Sequence, residues 1–146
     1  MKFNTKTRYG IRTMMEIALQ DYSKGVFQKD ISNNQDISFK YLDQIISALK
    51  AAHLITNIKG KKSGYTLTRH PAQITIYDIH KAFEPDLAIV DCLSEMIDCS
   101  KEKYCAPRDL WEGLNDTIVE YLQNYTLEDL AERQRAYNQK MQEKSS

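Results

Sequence analysis

At 146 residues and 17.0 kDa, the chain has the length of one domain with at most a small appendage. Its hydrophobic content of 42% and charged content of 27% are ordinary for a globular protein, and no apolar run is long enough to cross a membrane. The first residues lack the apolar core of a secretory signal, so we expect a cytoplasmic protein.

The formal net charge of zero conceals an uneven distribution of charge. Residues 1–75 carry 12 Lys and Arg against 5 Asp and Glu, and residues 76–146 carry 8 against 15, so 12 − 5 and 8 − 15 give net charges of +7 and −7. Chance clustering of surface charge would explain this asymmetry. The asymmetry is also what we expect of a protein whose basic half contacts a polyanion and whose acidic half does not.

The basic half has the order of elements found in a winged helix-turn-helix. Apolar spacing predicts a first helix from about Thr5 to Tyr22, a short second helix at 28–35, and a third that begins at Ser38 as N-cap. Alternating residues at 54–58 and 65–68 then predict a hairpin, with a basic, glycine-flanked turn between the strands. In this architecture the third helix enters the major groove and the hairpin reaches the DNA backbone or the minor groove.

The acidic half predicts three more helices around a polar segment. Thr75 and Asp78 are spaced as a capping pair for a helix that ends before Pro85, and Thr126 and Asp129 repeat that spacing. Between them, a long helix from Pro107 to about Asn124 has more apolar surface than a small winged domain would cover, which indicates pairing with a second subunit.

These elements predict a mainly α fold with a small β-hairpin, in which a winged helix-turn-helix precedes a long dimerisation helix. The predicted units are a DNA-binding domain at 1–84, a cysteine loop at 85–106, dimerisation and C-terminal helices at 107–133, and a flexible tail at 134–146.

Candidate DNA contacts come from the first turns of the third helix and from the turn of the hairpin. Gln44 has the geometry to pair with adenine, Asp43 to accept from cytosine, and Lys40 to reach guanine or phosphate. Lysines in the turn would neutralise phosphates, whereas Tyr41 also fits the hydrophobic core. The candidate residues are Ser38, Lys40, Tyr41, Asp43, Gln44, Lys59, Lys61 and Lys62.

All three cysteines lie in one polar segment, as Cys92, Cys99 and Cys105. In a reducing compartment, such a group is typical of metal binding or redox sensing. The segment lacks the Cys-x2-Cys pair of structural zinc sites, and its gaps of six and five residues suit a wider object such as an iron–sulfur cluster. Zinc, a redox disulfide and three unligated thiols stay open on spacing alone.

Six stretches in the same order resemble the winged helix-turn-helix regulators of the IscR/NsrR type, the Rrf family. They are TKTRYGIRTMMEIAL, ISFKYLDQIISALKAAHLI, IKGKKSGYTL, ITIYDIHKAFE, the three-cysteine segment and LWEGLNDTIVEYLQNYTLEDL. The resemblance spans residues 1–133. It implies a homodimeric regulator of transcription in which an iron–sulfur cluster, either 2Fe-2S or 4Fe-4S, is held by the three cysteines and alters binding to a palindromic operator.

The sequence departs from this pattern at the fourth cluster ligand. IscR-like members have a histidine where this chain has Arg108, and NsrR-like members have an acidic residue where it has Arg8; neither arginine is a ligand for iron. The remaining candidates are the carboxylates of Glu102, Asp98 and Asp109, a group of the partner chain, or solvent. His80, on the helix that leads into the segment, is a less favoured candidate.

Three other functions compete with this interpretation. A cluster-free regulator would use the same thiols to sense oxidants directly. An iron–sulfur electron-transfer protein or enzyme is the second, but the sequence has no glycine-rich substrate motif and no paired catalytic groups. A partner-binding module without DNA affinity is the third, and the basic turn at 59–62 argues against it.

Overall fold

A computed structural model describes residues 2–21, 23–58, 64–94 and 102–145 of the chain. Six α-helices and one antiparallel hairpin follow each other in it: α1 (Thr5–Leu19), α2 (Gln28–Gln35), α3 (Phe39–Ala51), β1 (Ile55–Asn57), β2 (Tyr65–Leu67), α4 (Ile76–Lys81), α5 (Ala106–Asn124) and α6 (Leu127–Ser145). Short 3-10 turns occupy Pro71–Gln73, Asp91–Leu93 and Glu102–Tyr104. None of the helices in these ranges has the length and apolarity that a membrane span requires.

The predicted mainly α fold with a two-stranded hairpin is confirmed. In α3 the residues Leu42, Ile45, Ile46 and Leu49 are buried in one core with α1 and α2. The Ser38 hydroxyl caps this helix by accepting from the amide of Tyr41 at 3.2 Å. The first helix ends at Leu19, before the predicted end at Tyr22, which lies outside the described residues.

The hairpin pairs Ile55 with Leu67 and Asn57 with Tyr65. Tyr65 also exchanges both backbone hydrogen bonds with Val26, at 2.8 and 2.9 Å, which attaches the hairpin to the segment before α2. This attachment requires close backbone approach, because a Cβ on Gly64 would lie 2.8 Å from the backbone carbon of Gly25. The hairpin is thereby fixed relative to the helix-turn-helix.

Backbone hydrogen bonds join the start of α4 to the start of α6. The amide of Ile76 donates to the carbonyl of Tyr125, and the amide of Leu127 donates to that of Ile74, each at 2.8 Å. Both capping pairs form as predicted: the Thr75 hydroxyl accepts from the Asp78 amide at 3.0 Å, and the Thr126 hydroxyl accepts from the Asp129 amide at 3.1 Å. The chain between these helices therefore leaves the winged domain and returns to it.

Helix α6 is longer than the sequence predicts. It continues to Ser145 through residues 134–145, where the polar composition favoured a frayed tail. Arg135 donates to the carbonyl of Ala18 at 3.0 Å and contacts Glu128 at 3.1 Å, while Gln134 donates to Asn138 at 3.0 Å. Contacts with α1 and pairs along the helix therefore support a segment that has little apolar surface of its own.

Two helical glycines allow a matched test of the packing between α1 and Phe83, which follows α4. A Cβ on Gly10 would lie 2.2 Å from the Phe83 ring, whereas one on Gly113 would meet nothing within 4 Å. We expect Gly10→Ala to lower the free energy of unfolding by about 1 kcal/mol or more, because the ring must move. Gly113→Ala should raise it by about 0.5–1 kcal/mol through helix propensity. Urea unfolding measures both, and a Gly10→Ala protein as stable as wild type would contradict the packing.

Candidate DNA interface and cysteine segment

The outer face of α3 presents three of the eight residues predicted to contact DNA. Lys40, Asp43 and Gln44 are exposed on it. Ser38 is exposed but its hydroxyl is used as the N-cap, and Tyr41 is half-buried, with its ring edge-on to Tyr9 at 5.5 Å between centroids. The first three side chains are thus available to a ligand of this face, whereas Ser38 and Tyr41 also stabilise the helix.

Two residues beside these side chains, one on α2 and one on α3, were absent from the sequence-based set. Gln28, the first residue of α2, donates from Nε2 to Asp43 Oδ1 at 2.6 Å and to the carbonyl of Phe39 at 3.3 Å. The side chain of Phe39 is 54% exposed, although the residue begins a helix whose other apolar side chains are mostly buried. Phe39 directly follows the N-cap and does not belong to the apolar stripe of α3, so its exposure could have been predicted from the sequence.

The basic turn predicted to contact phosphates, with Lys59, Lys61 and Lys62, lies outside the described residues. The hairpin remains paired up to that turn, because the amide of Ile58 donates to the carbonyl of Gly64 at 3.0 Å. These lysines therefore belong to the connection between β1 and β2.

Two of the three cysteines lie within the described residues. Cys92 is in the 3-10 turn Asp91–Leu93, and Cys105 is the residue before α5; both are half-buried free thiols. Cys99 lies outside the described residues. Among the described residues, which do not include the predicted ligand Cys99, no group of three His, Cys, Asp or Glu is arranged to hold a metal ion.

Arg108 links the first and last parts of the cysteine segment. Its Nη1 donates to the carbonyl oxygen of Cys92 at 2.7 Å, and its Nε lies 3.3 Å from Glu112 Oε1. Asn115, two turns further along α5, accepts from the amide of Ile89 at 2.9 Å. The first turns of α5, which begins after Cys105, are therefore bonded to the backbone around Cys92.

The free thiols of Cys92 and Cys105 have the donor chemistry of iron–sulfur cluster ligands. Thiolates are the soft ligands of iron–sulfur clusters, and the bonds of Arg108 bring the turn that contains Cys92 to the beginning of α5. Asp109 is exposed in the first turn of α5, and Arg8 is exposed on α1, where it donates to the Thr5 hydroxyl at 3.3 Å. Asp98 and the side chain of Glu102 lie outside the described residues.

His80 is in the core, not on a surface open to a metal ion. Its side chain is 3% exposed, with its ring edge-on to Phe3 at 5.5 Å and tilted against Tyr77. Nδ1 lies 3.0 Å from Glu84 Oε2, yet neither ring nitrogen has a well-aligned hydrogen bond among the described residues. Burial lowers the pKa of His80, and the smaller effects of the Glu84 and Asp86 carboxylates oppose this shift.

The other two histidines have local backbone roles. His70 Nδ1 accepts from the amide of Ala72 at 3.0 Å and caps the 3-10 turn Pro71–Gln73. His53 follows α3 with a φ of 58°, and its carbonyl accepts from the Thr68 hydroxyl at 2.6 Å.

The lowered pKa of His80 predicts a pH dependence of stability. The unfolded chain binds the proton near pH 6.5 and the folded chain only at lower pH, so the free energy of unfolding should fall as pH drops below about 6.5. The slope from one such group is at most about 1.4 kcal/mol per pH unit. Urea unfolding of His80→Gln between pH 7.5 and 5.5 should give a flatter profile than wild type. Equal slopes for His80→Gln and wild type would contradict a contribution from His80.

The fold and the exposed face of α3 define a winged helix-turn-helix regulator of transcription. The chain belongs to the Rrf2 family, described as "Iron-dependent Transcriptional regulator", whose model matches residues 3–133.

Three relatives place the chain within this family. The regulator CymR of Bacillus subtilis is 35% identical over 131 residues, which cover 90% of each chain. The solved structure of CymR, described as the "Global Cysteine Regulator", has a TM-score of 0.75 and matches 91% of this chain and 98% of the CymR chain. The oxidised form of Staphylococcus aureus CymR is 31% identical, with a TM-score of 0.70 over 90% and 97%. IscR of T. potens is 29% identical, with a TM-score of 0.71 over 91% and 88%. All three chains are matched over nearly their whole length.

Proposed function

We propose that the protein is a cytoplasmic homodimeric regulator whose binding to promoters is modulated by an iron–sulfur cluster on Cys92, Cys99 and Cys105. One observation carries the proposal: all the cysteines of the chain lie in the segment between α4 and α5, and Cys105 directly precedes α5. A change in ligation at that segment would act on the start of the helix proposed to join the subunits.

The DNA-binding part of the proposal assigns separate roles to α3 and to the hairpin. Gln44 would read a base edge in the major groove, and Lys40 would bind phosphate. Lys59, Lys61 and Lys62 would add further phosphate contacts, each of which increases the salt dependence of binding. The pair of recognition helices in a dimer implies an operator with two half-sites in a roughly palindromic arrangement.

The dimer is supported by the surface of α5. None of its residues is buried in the single chain that the structure describes, although Leu110 is 64%, Leu114 46% and Tyr121 65% exposed. A helix of 19 residues with such a stripe is stable in water when a second apolar surface covers it. A second copy of α5 supplies a stripe of the same composition, which makes a two-fold symmetric pairing the simplest cover.

The cluster part of the proposal rests on the three thiols and on Arg108. A bound cluster would supply iron that responds to oxidants, nitric oxide or iron supply. Arg108 would hold the Cys92 backbone near the start of α5. Because this arginine occupies the position of the expected histidine ligand, a weaker oxygen ligand or solvent would complete the coordination of iron. This arrangement favours a labile cluster, and both 2Fe-2S and 4Fe-4S fit the three cysteines.

Direct thiol sensing is a second candidate. It is favoured by two half-buried free thiols that Arg108 links through the backbone, and by similarity to a regulator crystallised in an oxidised form. In this mechanism two thiols would give up two protons and two electrons to an oxidant and form a disulfide. No iron would be needed.

Native mass spectrometry of protein purified without oxygen separates these proposals. We expect twice the chain mass of 17.0 kDa plus two clusters, with iron and sulfide in equal amounts and visible absorption. The added mass per chain distinguishes 2Fe-2S from 4Fe-4S. Cys99→Ser should lose the added mass and the colour, because a hydroxyl replaces one of three thiolates.

The matched control is Ser94→Ala, which removes a hydroxyl from the same segment and should retain the cluster. Colourless, iron-free protein that does not take up iron and sulfide on reconstitution would contradict the cluster and leave thiol sensing. A species with the mass of one chain at micromolar concentration would contradict the dimer.

A further inference from the structure

Gln28 and Asp43 form a polar pair between the first residue of α2 and the second turn of α3. Gln28 Nε2 lies 2.6 Å from Asp43 Oδ1 and 3.3 Å from the carbonyl oxygen of Phe39. Asp43 is exposed and Gln28 half-buried, on the same face as Lys40 and Gln44. The pair therefore lies among the residues proposed to read DNA, although Gln28 belongs to the other helix of the motif.

Chemistry fixes the orientation of the Gln28 amide. A carboxylate oxygen and a backbone carbonyl only accept hydrogen bonds, so the NH₂ group of Gln28 must point towards both of them. Both of its N–H groups are then used within the protein. On the Asp43 carboxylate, Oδ1 is occupied, whereas Oδ2 has no partner among the residues that the structure describes.

We propose that Gln28 is a positioning residue for base recognition, which holds the Asp43 carboxylate so that Oδ2 accepts from the exocyclic amine of a cytosine. The inference rests on the proposed binding of DNA by α3. In the major groove only cytosine and adenine offer an amine donor, and an aspartate accepts from cytosine N4 in the usual pairing. The first residue of α2 would thus take part in base selection without touching a base.

The charge of Asp43 explains why positioning matters. A carboxylate is repelled by the phosphates that flank the groove, so it favours binding only if it points to a base edge. A neutral amide holds it without cancelling its charge, whereas a lysine or arginine at position 28 would compete with cytosine as the donor. A side chain already held in place also loses less rotamer freedom when DNA binds.

A double-mutant cycle tests the inference. Selection from random DNA with the purified dimer gives an operator, and fluorescence anisotropy then measures the dissociation constant for every single base-pair change. We expect wild type to prefer cytosine at one position of each half-site by about tenfold. Asp43→Ala should lose this preference, and Gln28→Ala should reduce it to about twofold with the other positions unchanged.

The cycle also requires that Gln28→Ala has no further effect on this preference in the Asp43→Ala background, because the amide acts through the carboxylate. Asn33→Ala removes an exposed amide from the same helix and should leave every preference at its wild-type value. Circular dichroism confirms that the variants are folded.

Three results would overturn the proposal. The first is that Gln28→Ala weakens binding to every operator variant by the same factor. The second is that Gln28→Ala and Asp43→Ala have additive effects on the preference for cytosine. The third is that Asp43→Ala leaves the preference for cytosine unchanged. If the wild-type protein bound every DNA sequence equally, the proposed sequence-specific regulator would be contradicted as well. A wild-type protein with base preferences that do not depend on Gln28 would contradict only the role of Gln28.

Discussion

Two backbone hydrogen bonds determine how the parts of this protein are arranged. The amides of Ile76 and Leu127 donate to the carbonyls of Tyr125 and Ile74 at 2.8 Å, and both Ile74 and Leu127 are fully buried. The segment that leaves the winged domain at α4 is thus returned to it at the start of α6. Since α5 has 19 residues, its first turn lies roughly 28 Å along the helix from this connection.

The residues around Cys92 lie beside the first turn of α5, where Arg108 bonds to them. The bond from Arg108 to the Cys92 carbonyl and the bond between Asn115 and the Ile89 amide connect the backbone around the first cysteine to α5. A rigid helix that is fixed to the winged domain at one end and bonded to the cysteine segment at the other provides a physical connection between the two. The proposed cluster binding and the alternative thiol oxidation would both act through this connection.

Local patterns in the sequence predicted much of the fold. The Thr75–Asp78 and Thr126–Asp129 spacings and the apolar stripe of α3 each depend on residues within one helix, and the structure contains all of them. Contacts between distant residues were not predictable in this way. Arg108 meets the Cys92 carbonyl 16 residues away, Gln28 meets Asp43 15 residues away, and Arg135 meets Ala18 117 residues away. The length of α6 was missed because its support comes from such a contact, while its composition is polar.

In the proposed regulator, the state of the cysteine segment sets the affinity for DNA. The most direct measurement is the dissociation constant for one selected operator, determined anaerobically for the cluster-loaded dimer and for the same sample after removal of iron. We expect dissociation constants that differ by at least fivefold, the lower end of the coupling found between linked sites. Equal constants for the two forms at the same salt concentration would contradict it.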